Sequence, residues 1–325
     1  MTVEILDNPA ALHALLPEWA ALWDATPDAT PFQSPHWLLP WWRVFGTAAP
    51  RVATWRGQGR LRGVLPAYVL DEAGRRKLLP IGAGTTDYLD ALGDGAAAML
   101  HALLHRAAQD GVPACDLIEL PPGSALHAVP APEGWRRACH DGEACPVLAL
   151  PARPLSGIPP SMRRNLRLAR NRAARAGGLT RHDATPATLH GHLDSLAALH
   201  RARWATEGQA GVMADPAVLR FHRLAAPGLL AAGLLRLVVL AIGNAPAAAC
   251  LALLDRDRIH FYLSGYDPAQ RHASPGTLLF GALLDEAEAE GRREAHFLRG
   301  REPYKYAWGA TDRGNATLCF EAGPP

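Results

Sequence analysis

The same succession of segments occurs twice along the chain, and that repetition limits the fold more than any single motif. In the first half, RVATWR, GQG and RLRGVLPAYVL read as two strands about a tight turn. DYLDAL, a helical stretch GAAAMLHALLHRAAQDG and a buried strand CDLIEL follow. In the second half, LLRLVVLA, IGN and APAAACLALLD repeat the hairpin, RIHFYLSGY is the next strand, GTLLFGALLDEAEAEG the helix and EAHFLRG the buried strand. Gly57 and Gly243 mark the two hairpin turns, and Gly111 and Gly291 close the two helices at a nearly equal offset. A structural duplication accounts for this economically. Each half is then α+β: a mostly antiparallel meander followed by a strand, helix, strand crossover that makes one parallel pair.

A length of 325 residues suits two domains of roughly 150 residues each. From Pro121 to Pro160 the chain is rich in proline (121, 122, 130, 132, 146, 151, 154, 159 and 160) and poor in long periodic segments, which reads as a connection. The boundary is expected near 155, giving units 1–155 and 156–325. Further helices surround the repeats. Leu12, Leu15, Trp19 and Leu22 form one apolar face. Ser34 and Pro35 open a helix that Gly46 ends, and Thr185 and Pro186 repeat that device before LHGHLDSLAALHRARW. In SMRRNLRLARNRAARAGG, Met162, Leu166, Ala169, Ala173 and Ala176 make an apolar seam, Gly177 stops the helix, and Arg163, Arg164, Arg167, Arg170, Arg172 and Arg175 occupy the rest without an acid.

A net charge of +2 excludes a chain whose whole surface is built for nucleic acid, so any basic function is local. Cys115, Cys139, Cys145, Cys250 and Cys319 form neither a CxxC pair nor a zinc spacing, so no metal is expected and a reducing cytoplasm fits. The start carries Glu4 and Asp7 instead of a basic leader, and no apolar run reaches the length of a membrane span. Nucleophile-elbow, zincin and P-loop motifs are absent from the sequence.

Two loops carry the candidate chemistry. ASPGTLLFG follows a strand and opens a helix, where free N–H groups and a partial positive charge suit an anion. Ser274, Gly276 and Thr277 are its candidate phosphate contacts, while Ser274 as N-cap before Pro275 is the ligand-free alternative. REPYKYAWG leaves the strand expected to run parallel to RIHFYLSGY, and ligands tend to bind beyond the carboxyl ends of parallel strands. There Tyr304 or Tyr266 is a candidate acid, Glu302 or Asp267 a candidate base, and Lys305 or Arg301 a candidate contact to phosphate or carboxylate. LHRARW adds Arg203 and Trp204 at a helix end.

Taken together, LHRARW, SGYDP, SPGTLL, EAEAEG and FLRGREPYKYAWG, with FQSPHWLLPWWRVFG, GVLPAY, TTDYLDAL and the arginine helix, resemble the CelD-like, or BioF2-like, branch of the GNAT acyltransferases over nearly the whole chain. The chain is also similar to FemAB-type aminoacyltransferases, in which an aromatic residue followed by lysine recurs near the C-terminus, here Tyr304 and Lys305. The resemblance implies two tandem GNAT-like units with a cleft between them. It implies acyl transfer, of an acetyl group most simply, from a CoA thioester to an amine of a small molecule or saccharide precursor. In that picture the pantetheine lies between RIHFYLSGY and EAHFLRG, and the pyrophosphate on Gly276 and Thr277. The family's phosphate loop has two glycine-like positions and QRHASPGT supplies only Gly276, so the donor stays open between acetyl-CoA or another acyl-CoA, an acyl carrier protein, and tRNA at the basic helix 161–177. A non-catalytic accessory protein of exopolysaccharide synthesis is the third reading.

Overall fold

The computed structural model describes residues 1–47, 49–150 and 157–323. Its chain divides into two compact units, Met1–Ala144 with Gly314–Pro325, and Cys145–Arg313. The boundary expected near 155 lies outside the described residues.

The first unit contains β1 (Thr2–Leu6), α1 (Pro9–Ala14), α2 (Leu16–Ala25), α3 (Pro35–Phe45), β2 (Pro50–Gly57), β3 (Arg60–Glu72), β4 (Arg75–Pro80), β5 (Leu92–Gly93), α4 (Ala96–Gln109) and β6 (Ala114–Leu120). β1, β2, β3 and β4 pair antiparallel in sequence order, β5 adds to β3, and β6 lies parallel to β4 through Leu78 and Cys115. The helix α4 turns Met99, Leu100, Leu103, Leu104 and Ala107 onto this sheet, where they meet Leu65, Leu78 and Leu117. Their spacing of three and four residues is what makes one face apolar. The apolar face at Leu12 to Leu22 is shared between two helices, because α1 ends at Ala14 and α2 begins at Leu16 with Pro17 in its first turn. Ser34 caps α3 through His36 N at 3.2 Å, with Pro35 in the first turn.

The stretch read as a connection contains a long strand, β7 (Trp135–Ala149). Its first residues are exposed on both faces, so they lack the alternation that marks a half-buried strand.

The second unit contains α5 (Pro160–Arg175), β8 (Leu179–Asp183), α6 (Leu189–Ala205), α7 (Pro216–Ala231), β9 (Leu235–Ile242), β10 (Ala245–Leu254), β11 (Arg258–Tyr266), α8 (Pro275–Ala289), β12 (Glu294–His296) and α9 (Pro303–Ala307). β8, β9, β10 and β11 are antiparallel neighbours, β12 runs parallel to β11, and Val147–Ala149 of β7 pair antiparallel with β12. β13 (Thr311–Ala322) then pairs antiparallel with β6 in the first unit. Adjacent residues of β11 point to opposite faces: the Phe261 ring meets Phe280 of α8 at 4.9 Å and the Tyr262 ring meets His222 of α7 at 5.4 Å. The first face holds the larger core, with Leu278, Leu279, Leu283 and Leu284 of α8 fully buried. Each contributes roughly 1.5–3 kcal/mol through burial. α5 lies on α8 so closely that a Cβ at Gly281 would meet Leu166 at 2.6 Å.

Three local expectations change. α6 begins at Leu189, not after Thr185, because Thr185 N and Oγ1 bond locally to Thr188 Oγ1 at 2.9 and 3.1 Å. EAHFLRG is a strand only as far as His296, since Leu298 takes a φ of 59° and turns the chain out of the sheet. Ser274 does not cap α8 with its side chain; its own backbone is left-handed at φ 54°.

Candidate active site

The parallel pair of the second unit opens as it advances. β11 and β12 are in register from Arg258 and Glu294 to His260 and His296. Beyond that point β11 continues to Tyr266, while Phe297 N turns away to donate to Pro146 O at 2.9 Å. β11 also carries a bulge opposite Leu251 and Ala252. Bulges re-aim strands and recur beside active sites. The resulting cleft has a volume of about 550 Å³, within the usual range for small-molecule sites. All of its lining residues belong to the second unit.

One wall is the start of α8. Ser274, Pro275, Gly276 and Thr277 line the cleft. Gly276 and Thr277 sit in the first turn, whose N–H groups have no acceptor within the helix. A Cβ added at Gly276 would meet only Tyr266 Cδ1, at 3.9 Å, so the backbone is open to an approaching group. Ser274 in the left-handed region costs about 1–3 kcal/mol, a strain that recurs at ligand-binding turns.

The facing wall comes from the end of α6 and the strand β11. Gly265 is required there: a Cβ would lie 2.2 Å from His200 N and 2.5 Å from Leu199 C. That close approach brings Arg203 and Trp204 beside Tyr266. The Arg203 guanidinium stands 5.3 Å from the Trp204 ring and 5.7 Å from the Tyr266 ring, and Nη2 reaches Glu207 Oε1 at 2.8 Å. Trp204 Nε1 donates to His200 Nε2 at 3.0 Å. Burial, together with Arg203 and Arg201, lowers His200 to about 4, so the ring is a neutral acceptor at neutral pH.

The third side is the segment after β12. The Tyr304 ring stacks on Phe280 at 5.6 Å and meets Phe297 at 6.2 Å. Desolvation and the Glu302 carboxylate raise the Tyr304 phenol above its ordinary value. Although 42% of the residue reaches solvent, the Glu302 charge acts in the same direction, so the phenol is protonated at neutral pH.

Of the residues expected from the sequence, Ser274, Gly276, Thr277, Tyr266, Tyr304, Glu302, Arg203 and Trp204 share this cleft. Lys305, Arg301 and Asp267 do not line it. Lys305 is 2% exposed, and its ammonium donates to Leu298 O, Arg299 O and Gly300 O at 3.1, 2.6 and 3.1 Å and pairs with Glu302 at 2.9 Å. It is a structural cation that fastens the loop, because three inward carbonyls need a donor. Arg301 points outward to Asp312 at 3.3 Å. Asp267 caps the turn after β11, accepting from Ala269 N at 2.9 Å and Gln270 Nε2 at 3.0 Å. The sequence reading passed over Glu207, Gly265, Phe280 and Trp308 as lining residues. Gly265 inside a strand was itself a sign of close backbone approach, and Glu207 lies four residues beyond Arg203. The resemblance implied a cleft between two units, whereas this one lies within a single unit.

Residues 160–306 match the family model for the acetyltransferase (GNAT) domain. No curated protein matches the chain in sequence. Among solved structures, FemX superposes with a TM-score of 0.67 at 11% identity, covering 98% of this chain and 97% of that one. A conserved protein of unknown function from Bacteroides thetaiotaomicron gives 0.65 at 12% identity, with 98% and 100% coverage. A tandem GNAT protein from the clavulanic acid biosynthesis pathway gives 0.50 at 17% identity and covers both chains fully. These likenesses are of fold, and the last has the two-unit plan read from the repeated segments. The match to the acetyltransferase (GNAT) domain thus runs from α5 to α9 with the cleft inside it, and the chain as a whole shares its fold with FemX.

Proposed function

We propose that the protein is an N-acyltransferase that takes an acyl group, acetyl in the simplest case, from a pantetheine thioester and delivers it to an amine of a small molecule or saccharide precursor. The observation that carries this reading is the splay of β11 from β12 with the open first turn of α8 at one wall and Tyr304 at another. The residues fit a pantetheine arm: the cleft holds about 550 Å³, Gly276 leaves its backbone bare, and a phosphate at Gly276 N and Thr277 N would lie on the positive end of α8.

A bound acyl-CoA supplies the activated carbonyl. Backbone N–H groups of β11 beyond His260, no longer paired to β12, polarise that carbonyl as the neutral amine attacks. The bond to sulfur breaks as the amide forms, and the Tyr304 phenol gives its proton to the departing thiolate. The amine loses one proton in the reaction, which returns the phenol to its neutral form by way of Glu207 or Glu302 and water. The aromatic rings of Trp204, Tyr266 and Tyr304 suit a cationic acceptor before it is deprotonated.

Isothermal titration with acetyl-CoA and longer acyl-CoAs tests the donor site. Binding by at least one of them, lost in Gly276→Glu with the fold retained, is expected. Absence of binding by all of them, or affinity unchanged in Gly276→Glu, would remove this reading. Aminoacyl transfer from tRNA is the second reading, favoured by the fold shared with FemX and by the arginines of α5. It predicts RNA binding that weakens steeply with salt.

A further inference from the structure

Helix α5 is badly composed for a solvated helix. Its seam of Met162, Leu166, Ala169 and Ala173 is buried, and Arg163, Arg164, Arg167, Arg170, Arg172 and Arg175 are all exposed. The first turn has no acid, and Arg163 and Arg164 stand where the helix dipole favours negative charge. Arg163 and Arg167, Arg164 and Arg167, and Arg167 and Arg170 are like-charged neighbours three or four positions apart, an arrangement that weakens a helix. Two of the six serve packing: Arg170 reaches Asp285 of α8 at 2.7 Å, and Arg172 donates to His272 O at 3.2 Å. Leu168 lies among them, 37% exposed, with Arg164 and Arg172 one turn to either side. A local choice that opposes the fold signals a task outside it.

The position of the helix says what the task is. Met162, in its first turn, lines the cleft, and so does Arg271, from the turn before α8 that packs against α5. The charged face therefore borders the cleft, with Met162 at its start and Arg172 on the turn beside Arg271, and is about 24 Å long at 1.5 Å per residue. That is the length of a helix-sized partner surface and far more than one nucleotide. Inside the cleft the phosphate-binding turn is correspondingly small: Pro275 has no N–H, which leaves Gly276 and Thr277. Two donors suit a single phosphodiester better than a pyrophosphate. The arginine face carries an exposed leucine and no aromatic residue on which a base could stack, and the chain's net charge is only +2, which favours an acidic protein over RNA.

We infer that the acyl donor is delivered by a small acidic carrier protein whose phosphopantetheine thioester enters the cleft while its negative surface docks on Arg163, Arg164, Arg167 and Leu168. This rests on the acyltransferase reading above. The test uses the full chain and a variant, Arg163→Glu/Arg164→Glu/Arg167→Glu, which leaves Arg170 and Arg172 in place. Acids at the start of α5 are favourable, so its melting temperature should stay equal or rise. The probes are an acidic bacterial acyl carrier protein in its acetyl-phosphopantetheine form, the same protein without the arm, acetyl-CoA, and bulk tRNA. The inference expects the acetylated carrier to bind at least tenfold tighter than the armless one. The triple variant should weaken it at least tenfold while changing acetyl-CoA affinity less than twofold. Normal acetyl-CoA binding with no carrier binding, or carrier binding indifferent to the variant, overturns the inference and leaves the acyltransferase reading intact. Binding of neither donor overturns both. If the triple variant instead loses tRNA binding and carrier binding is absent, the face serves RNA and the inference is wrong. A variant that fails to fold is replaced by Leu168→Ser with Arg164→Gln, read against the same outcomes.

Discussion

The two units of this protein use the same strand, helix, strand crossover, and only one of them leaves it open. In the second unit, β11 runs past the end of β12 and the gap is a cleft of about 550 Å³. In the first, the corresponding region beyond β4 and β6 is filled by the chain itself. Leu89 N donates to Glu119 O at 3.0 Å and Ile81 N to Pro66 O at 3.0 Å, so the segment between β4 and α4 lies on the strand ends. Phe32, Ile81, Leu89 and Leu117 close over it and leave a void of about 10 Å³. The start of α4 shows the same difference. A Cβ at Gly95, its N-cap, would meet the Trp55 ring at 2.5 Å, whereas Gly276 faces open space. The same crossover is thus closed in one unit and open in the other; what separates them is whether the strand ends are covered.

The units also differ in how they hold ionisable groups, and acid should separate them most strongly. In the second unit, burial lowers His200 to about 4, His222 to about 3 and His296 to about 4, with neighbouring Arg203 and His200 acting on the first two in the same sense. Groups with lowered histidine values bind fewer protons folded than unfolded, so stability is lost as pH falls below 6.5. At pH 5 each costs up to about 2 kcal/mol. Amide exchange in α8 and β11 should therefore accelerate between pH 7 and 5, after correction for intrinsic rates, more than exchange in α4 and β3. Equal behaviour in both units would break this part of the comparison.

A smaller effect should follow from unfastening the loop after β12. Lys305→Met leaves three carbonyls without their donor and should cost about 3 kcal/mol in urea unfolding, while Arg301→Met, whose partner is an exposed Asp312, should cost under about 1 kcal/mol. Equal costs would mean that Lys305 does not fasten the loop.

The role of Lys305 was beyond the sequence, and the reason is physical. A lysine among tyrosines at a strand exit looks like a surface cation. Its acceptors exist only because Leu298 and Gly300 adopt φ values of 59° and 103° and fold three carbonyls inward. The covering of the first unit was hidden for a similar reason, since it depends on Leu89 meeting Glu119, a pairing with no local signature. β7 escaped notice because its exposed half has no alternation to read. By contrast, both hairpins were legible from GQG and IGN between apolar runs, and α8 from its proline start and leucine spacing. Much of the cleft lining was legible too, because two loops at one end of a parallel pair and the end of α6 supply many of its residues.

The first unit carries the smallest of the expected shifts, with the opposite sign. Burial pushes Asp90 up to about 6, against the hydrogen bonds from Ser124 Oγ at 2.6 Å and Ala91 N at 2.8 Å. A raised carboxyl contributes stability below its unfolded value of 3.8 that is lost as pH rises through about 6. Relative to Asp90→Asn, the natural protein should lose roughly 2 kcal/mol between pH 4 and 7.5, seen as a difference in urea midpoints. A constant difference over that range would show that Asp90 is ionised throughout.

The most direct measurement of the central claim is amide hydrogen exchange of the whole chain with and without saturating acetyl-CoA. The account predicts slower exchange in β11 from Ser264 to Tyr266, in the first turns of α8 and from Glu302 to Trp308, with the segment from Ile81 to Leu92 unchanged. Protection centred on the first unit, or no protection in the second at concentrations where acyl-CoA binds, would contradict it.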